Sequence, residues 1–130
     1  MSGAKDKQLA TMDSVFRALG DPTRLRILGL LAAGGEVCVC HIHEALDCSQ
    51  PMASRHLSYL RKAGLVEGRR DGQWIYYRVA SMREPVMQTL MSAVTHCVGH
   101  LNIVGKDRKK LEKTCGCCCE ETEQPKVTCC

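Results

Sequence analysis

The sequence predicts a mainly α fold carrying one small β-hairpin, and three observations support this. Apolar residues recur at helical spacing along most of the chain. One Asp-Gly pair, Asp71-Gly72, stands between two strand-like runs, the sequence signal of a two-residue hairpin turn. Aromatics are scarce, with one Trp, one Phe and three Tyr among 130 residues. The core must therefore be built from Leu, Val, Met and Ala, and small cores of that kind are often completed by dimerisation.

The elements follow in order. Leu9, Met12, Val15, Phe16 and Leu19 fall on one face of a helix that ends at Gly20. Asp21-Pro22 reads as an N-cap with proline in the first turn. The heavily apolar run Leu25, Ile27, Leu28, Leu30, Leu31 follows as the central core helix, stopped by Gly34-Gly35. A short helix is expected over about His41 to Leu46. Ser49 caps the next helix, Gln50 to Ala63, and Gly64 ends it. Two short helices joined by a tight turn, the second bearing exposed polar and basic residues, form a helix-turn-helix. The runs 65–70 and 73–79 are the hairpin, a basic wing behind the recognition helix. From Arg83 to about Asn102 a last helix carries Val86, Leu90, Val94, Val98 and Leu101. Little chain remains to cover that stripe, so it is expected to pair with a second subunit. Residues 1–104 thus form a winged helix-turn-helix domain that is a homodimer, and 105–130 a flexible cysteine-rich tail.

Composition narrows the function. No apolar run approaches the roughly 20 residues needed to span a bilayer, and the N-terminus lacks the apolar stretch of a secretory signal. A cytoplasmic protein without membrane partners is expected. In a reducing compartment ten cysteines point to metal ligation or redox sensing rather than a disulfide framework, and six of them fall in the last 16 residues. The net charge of +4 is mild. Its local distribution says more, since Arg55, Arg61, Lys62, Arg69, Arg70 and Arg78 cluster mid-chain, with a second basic run from Lys106 to Lys113.

Four ordered segments carry a family resemblance: Asp-Pro-Thr-Arg-Leu-Arg-Ile-Leu at 21–28, Glu-Val-Cys-Val-Cys at 36–40, Ser-Gln-Pro-Met-Ala-Ser-Arg-His-Leu at 49–57 and Leu-Arg-Lys-Ala-Gly-Leu-Val at 60–66. Together with the wing they closely resemble the ArsR/SmtB family of metal-sensing repressors, its arsenic-responsive branch above all, over roughly residues 8 to 102. The resemblance implies a homodimer that binds operator double-stranded DNA without metal and lets go when the inducer binds. Arsenite, As(III), is the expected inducer, with Sb(III), Cd(II) or Zn(II) as alternatives.

On the recognition helix, Met52, Ala53, Leu57, Leu60 and Ala63 can face the core. Gln50, Ser54, Arg55, Ser58, Arg61 and Lys62 are left toward solvent or DNA. The early residues Gln50, Ser54 and Arg55 are the base-contact candidates, because Gln suits adenine and Arg suits guanine by bidentate geometry. His56 resembles a family DNA-contact position, or packs on Met52 and Tyr59. Arg61, Lys62, Arg69, Arg70 and Gln73 are assigned to phosphates.

Cys38 and Cys40 are the inducer-site candidates, on the positions of the family motif. On a regular helix residues two apart lie about 200° apart, so their thiolates could not close on one ion there, whereas in an extended segment they share a side. A bound ion would therefore favour a non-helical backbone ahead of the recognition helix. Where the arsenic-sensor pattern carries a third cysteine this chain has His43, and imidazole suits zinc better than arsenic. A third sulfur could come from the tail, where Cys115, Cys117, Cys118 and Cys119 cluster ahead of Cys129-Cys130. His41 and His43 could also be plain surface residues. His96, Cys97 and His100 have ligand spacing on the dimer helix, but the Asp-x-His pair of zinc-sensing relatives is missing, and polar residues near a helix end are the simpler reading.

Two other functions compete: a thiol-redox repressor and a thiol-rich metal store, which leaves the recognition helix and wing unexplained. No phosphate loop or nucleophile–base motif supports an enzyme.

Overall fold

The computed structural model describes residues 3–33 and 35–119, and side chains over 6–33 and 35–114. In chain order the elements are α1 (Gly3–Leu19), α2 (Pro22–Ala32), β1 (Val37–Cys38), α3 (Val39–Leu46), α4 (Gln50–Lys62), β2 (Val66–Asp71), β3 (Trp74–Val79), α5 (Pro85–Gly99) and α6 (Asn102–Cys119). The mainly α architecture with a winged helix-turn-helix is as the sequence predicts. The hairpin is extended to a three-stranded antiparallel sheet, ordered β1-β3-β2, by a strand too short to leave a periodic signal.

The core forms around α2. Asp21, extended at φ −140°, accepts the Arg24 amide at 3.1 Å and starts the helix. Ile27 to Leu31 are all buried, and α2 as a whole contacts α3, α4, α5, α6 and β3. Gly35 beyond it has φ +81°, while Gly34 lies outside the described residues. The turn between α3 and α4 is made by Asp47 at φ 59° and ψ 46°, the left-handed conformation that Asp tolerates better than most side chains. Ser49 then accepts the Met52 amide at 3.2 Å to cap α4. Ala53, Leu57 and Leu60 seat α4 on the core. Met52, expected inside, is 44% exposed.

The hairpin turn sits one residue later than the Asp-Gly signal implies. Asp71 pairs with Trp74, so Gly72 and Gln73 form the loop. Gly72 has φ +65° and Gln73 does not share the positive sign, the pattern of a type II′ turn with glycine first.

Two further expectations change. The last helix of the domain stops at Gly99, and Met91 and Val98 pack inward, leaving Val86 and Leu101 exposed. The chain after residue 104 is not a loose tail over its described part. α6 crosses that boundary and packs on α2 and α3. Val104, Asp107 and Leu111 are buried at helical spacing. The signal was obscured because an aspartate occupies the middle of the buried stripe. Its charge is matched by Arg26 at 2.8 Å. Among the described residues no helix is long and apolar enough to cross a membrane.

Candidate functional site

The backbone switches from strand to helix at Cys38. Cys38 ends β1 with extended dihedrals, φ −69° and ψ 143°, and serves as the N-cap residue of α3. Cys40 lies in the first turn. Because only one of the two is helical, their sulfurs meet at 2.9 Å. Both residues are buried, at 1% and 6% exposure, and cluster with Tyr76 and half-buried Trp74 of the wing. Of the extended segment expected to carry both cysteines, only Cys38 is non-helical, and Cys40 already belongs to α3.

His43 does not join this pair. Its Nδ1 lies 3.1 Å from the Cys48 carbonyl oxygen, at the opposite end of α3. His41 is 3% exposed, so it is no surface residue. His96 and His100 stack edge to face, centroids 4.7 Å apart, on the exposed side of α5 beside exposed Cys97. Among the described residues no three Cys, His, Asp or Glu side chains gather to hold an ion. Cys115, Cys117, Cys118 and Cys119 fall in the last turns of α6, with side chains outside the described residues, as is all of Cys129-Cys130. Cys48, in the helix-turn-helix turn, has its thiol pushed up by burial, with Arg26 partly opposing the shift.

On α4, Arg55, Arg61, Lys62 and Gln50 are exposed, and Ser54 and Ser58 half-buried. Arg55, Ser58 and Lys62 line an open groove whose other wall is Asp13, Ser14 and Arg17 of α1. His56 is engaged from the start of α2. Its Nδ1 lies 3.3 Å from Arg24 Nη1 and 3.8 Å from Asp21 Oδ2, while the Arg24 guanidinium stacks 4.0 Å over Tyr59. Arg24 thus orients the recognition helix from beneath, a role its place in a mostly apolar helix did not announce.

On the wing, Arg70 and Gln73 are exposed near the tip. Arg69 is committed within the protein: its Nη2 and Nε donate to the Glu36 carboxylate at 2.6 and 2.9 Å, and its guanidinium sits 4.9 Å over the Tyr76 ring. The arginine's hydrogen bonds hold the Glu36 carboxyl below its ordinary value. Glu36 was not singled out in the sequence because its partner lies 33 residues away on a strand that pairs with β3.

The family described as "Bacterial regulatory protein, arsR family" matches residues 21–68, from the cap of α2 into the wing. The arsenic resistance transcriptional regulator ArsR1 of Pseudomonas putida is 48% identical over 77 residues, covering 59% of this chain and 60% of its own length. A homolog of the cadmium resistance regulatory protein CadC from Staphylococcus aureus is 37% identical over 82 residues, 63% of this chain and 66% of that protein. The chain therefore spans less than two thirds of the length of either. Among solved structures, the homodimeric winged helix-turn-helix DNA-binding domain of Mb0332 from Mycobacterium bovis superposes with a TM-score of 0.64 at 36% identity, over 75% of this chain and 86% of that one. Fold, motif order and relatives agree, and the chain belongs to the ArsR family of bacterial regulatory proteins.

Proposed function

We propose that this protein is a dimeric transcriptional repressor that grips operator DNA through α4 and the wing and lets go when arsenite joins Cys38 and Cys40. The observation that carries the reading is the sulfur pair, 2.9 Å apart and buried at the β1–α3 junction; Cys40 is disulfide-bonded as found, and arsenite joins it in the reduced form. Two adjacent sulfurs with no carboxylate among them suit a soft, thiophilic ion rather than a hard one. The junction opens the helix that supports α4, so an ion there acts close to the DNA-reading surface.

With His43 turned to the Cys48 carbonyl, a third sulfur is the better complement for arsenic. α6 lies along α3, and its last turns contain Cys115, Cys117, Cys118 and Cys119. One of these thiols supplies the third ligand in this reading. Arg55, Gln50 and Ser54 read base edges; Ser58, Arg61, Lys62, Arg70 and Gln73 secure the backbone, with His56 fixed behind them. Exposed Leu9 and Phe16 of α1, with Val86 and Leu101, supply apolar surface for the second subunit.

The test is fluorescence anisotropy of a duplex from the protein's own promoter under reducing conditions, with arsenite, antimonite, cadmium and zinc added in turn. Arsenite should release wild type but not Cys38→Ser/Cys40→Ser, and truncation after Lys113 should weaken the response. Release by cadmium alone moves the assignment to a cadmium sensor, whereas release by peroxide, reversed by dithiothreitol, moves it to a redox repressor. Absence of specific DNA binding defeats the proposal.

A further inference from the structure

We infer that α1 belongs to the DNA-binding surface: the groove between α1 and α4 cradles the sugar–phosphate backbone, and Arg17 grips a phosphate from the wall opposite Lys62. This rests on the reading that α4 engages operator DNA. It adds a contact outside both the helix-turn-helix and the wing.

Each wall of the groove is one helix face. On α4, Arg55, Ser58, Tyr59 and Lys62 recur at three- and four-residue spacing, and Asp13, Ser14 and Arg17 of α1 stand opposite. Arg55 and Lys62, seven residues apart, are separated by about 10 Å along the helix axis, so positive charge runs the length of the groove. The lining holds three cations against the single carboxylate of Asp13. Arg17 Nε donates to that carboxylate at 3.0 Å, which neutralises it and aims the guanidinium. Ser14 and Ser58 add a hydroxyl donor to each wall.

The cations of the groove are available. Arg24, Arg26, Arg69, Arg78 and Arg108 all donate to carboxylates or carbonyls within the protein. Among the described residues, by contrast, Arg55 and Lys62 make no ion pair or side-chain hydrogen bond, and Arg17 bonds only through Nε, with its side chain 69% exposed.

Arg24 pins the two walls together. Its Nε donates to the Ala18 carbonyl at 2.8 Å and its Nη2 to the Arg17 carbonyl at 3.1 Å, while its guanidinium lies over the Tyr59 ring of α4. Those carbonyls belong to the last turn of α1, the negative end of the helix dipole. With Arg24 bonded to them, that end no longer repels an entering phosphate. The groove offers about 460 Å³, a volume that could also hold a small molecule. Its open side and its strung-out cations favour a polymer instead, and a DNA strand presents one phosphate every ~3.4 Å along the helix axis.

The experiment measures affinity by anisotropy for full-length wild type, Arg17→Gln, Arg17→Lys and Lys110→Gln, on operator and unrelated duplexes over a range of salt. Arg17→Gln should weaken both duplexes alike and flatten the log–log salt dependence by about 0.9 per contact, near 1.8 for a symmetric dimer. Its deficit against wild type should then narrow about 12-fold as salt rises from about 50 to about 200 mM. Arg17→Lys, which keeps the charge, should keep the wild-type slope. Lys110→Gln removes the same charge from an exposed position on α6 and should leave the slope unchanged. A wild-type slope in Arg17→Gln, or an equal loss in Lys110→Gln, overturns the groove contact and leaves α4 as the DNA-reading helix. A wild type that binds neither duplex defeats the DNA-binding reading and this inference together.

Discussion

Arg26 Nε and Nη2 donate to the two carboxylate oxygens of Asp107 at 2.9 and 2.8 Å, joining α2 to α6 across 81 positions of sequence. Asp107 is 1% exposed, and the guanidinium bonds hold Arg26 firmly protonated against its partial burial. The next residue, Arg108, donates twice to the Gly29 carbonyl, one turn beyond Arg26 on α2, at 2.8 and 3.1 Å. α6 is therefore fastened by charge-assisted bonds as well as by apolar contact.

Asp107→Ala should destabilise the protein by about 1–3 kcal/mol, the range for a charge-assisted hydrogen bond with one partner half exposed. Asp107→Asn, which keeps the shape and one acceptor, should lose less. Urea unfolding measures both. An alanine variant as stable as wild type would mean that the Arg26–Asp107 contact contributes nothing to the fold.

The α2–α6 crossing depends on a missing side chain. A Cβ built on Gly29 would stand 2.6 Å from Val104 Cγ1, closer than packed carbons approach. Gly29→Ala should cost about 1–3 kcal/mol through overpacking. Adding Val104→Ala should recover part of that loss, giving a coupling of about 0.5–3 kcal/mol in the double-mutant cycle. Strict additivity would count against the contact.

Trp74 is the single tryptophan of the chain and packs against Cys38, Cys40 and Tyr76. Thiol ligation should therefore change its emission, saturating at about one ion per subunit. In Cys38→Ser/Cys40→Ser the change should vanish. A signal that persists in that variant would place the ion elsewhere.

The helices were legible in the sequence because their caps and periodicity are local: Asp21 and Ser49 accept the amides expected of them. The wing was legible for the same reason, with its loop one residue displaced. What escaped was long-range. Glu36 and Asp107 read as ordinary surface acids until the arginines at 69 and 26 are brought to them. His43 reads as a ligand by motif position, yet the carbonyl that engages it is five residues on, at the far end of its helix. Likewise the closeness of Cys38 and Cys40 was arguable only once β1 was known to stop between them.

The Glu36–Arg69 contact sets a pH dependence whose sign is fixed. The carboxyl is held below its ordinary value of 4.5, chiefly by the Arg69 hydrogen bonds, which desolvation opposes, with smaller contributions from Arg69 and Arg78 charge. A depressed folded-state value means the contact stabilises the fold above the unfolded value and is lost as pH falls through the folded one. Carbon-detected NMR titration should place the Glu36 carboxyl below 4.5, and Arg69→Gln should return it upward. No response to that substitution would remove the contact in solution.

Base reading and backbone holding on α4 can be separated by salt. Lys62 and Arg55 both line the groove against α1, yet they are given different work. If Lys62 neutralises one phosphate per subunit, Lys62→Ala should weaken all sequences alike and flatten the log–log salt dependence by about 0.9 per contact, near 1.8 for a symmetric dimer. If Arg55 reads a guanine edge, Arg55→Ala should cost about 1–3 kcal/mol at one base position and relax preference there. Competition among single-base operator variants at two salt concentrations decides the matter. Uniform weakening by Arg55→Ala would make it a second phosphate residue and would shift sequence reading to Gln50 and Ser54, nearer the N-terminus of the helix.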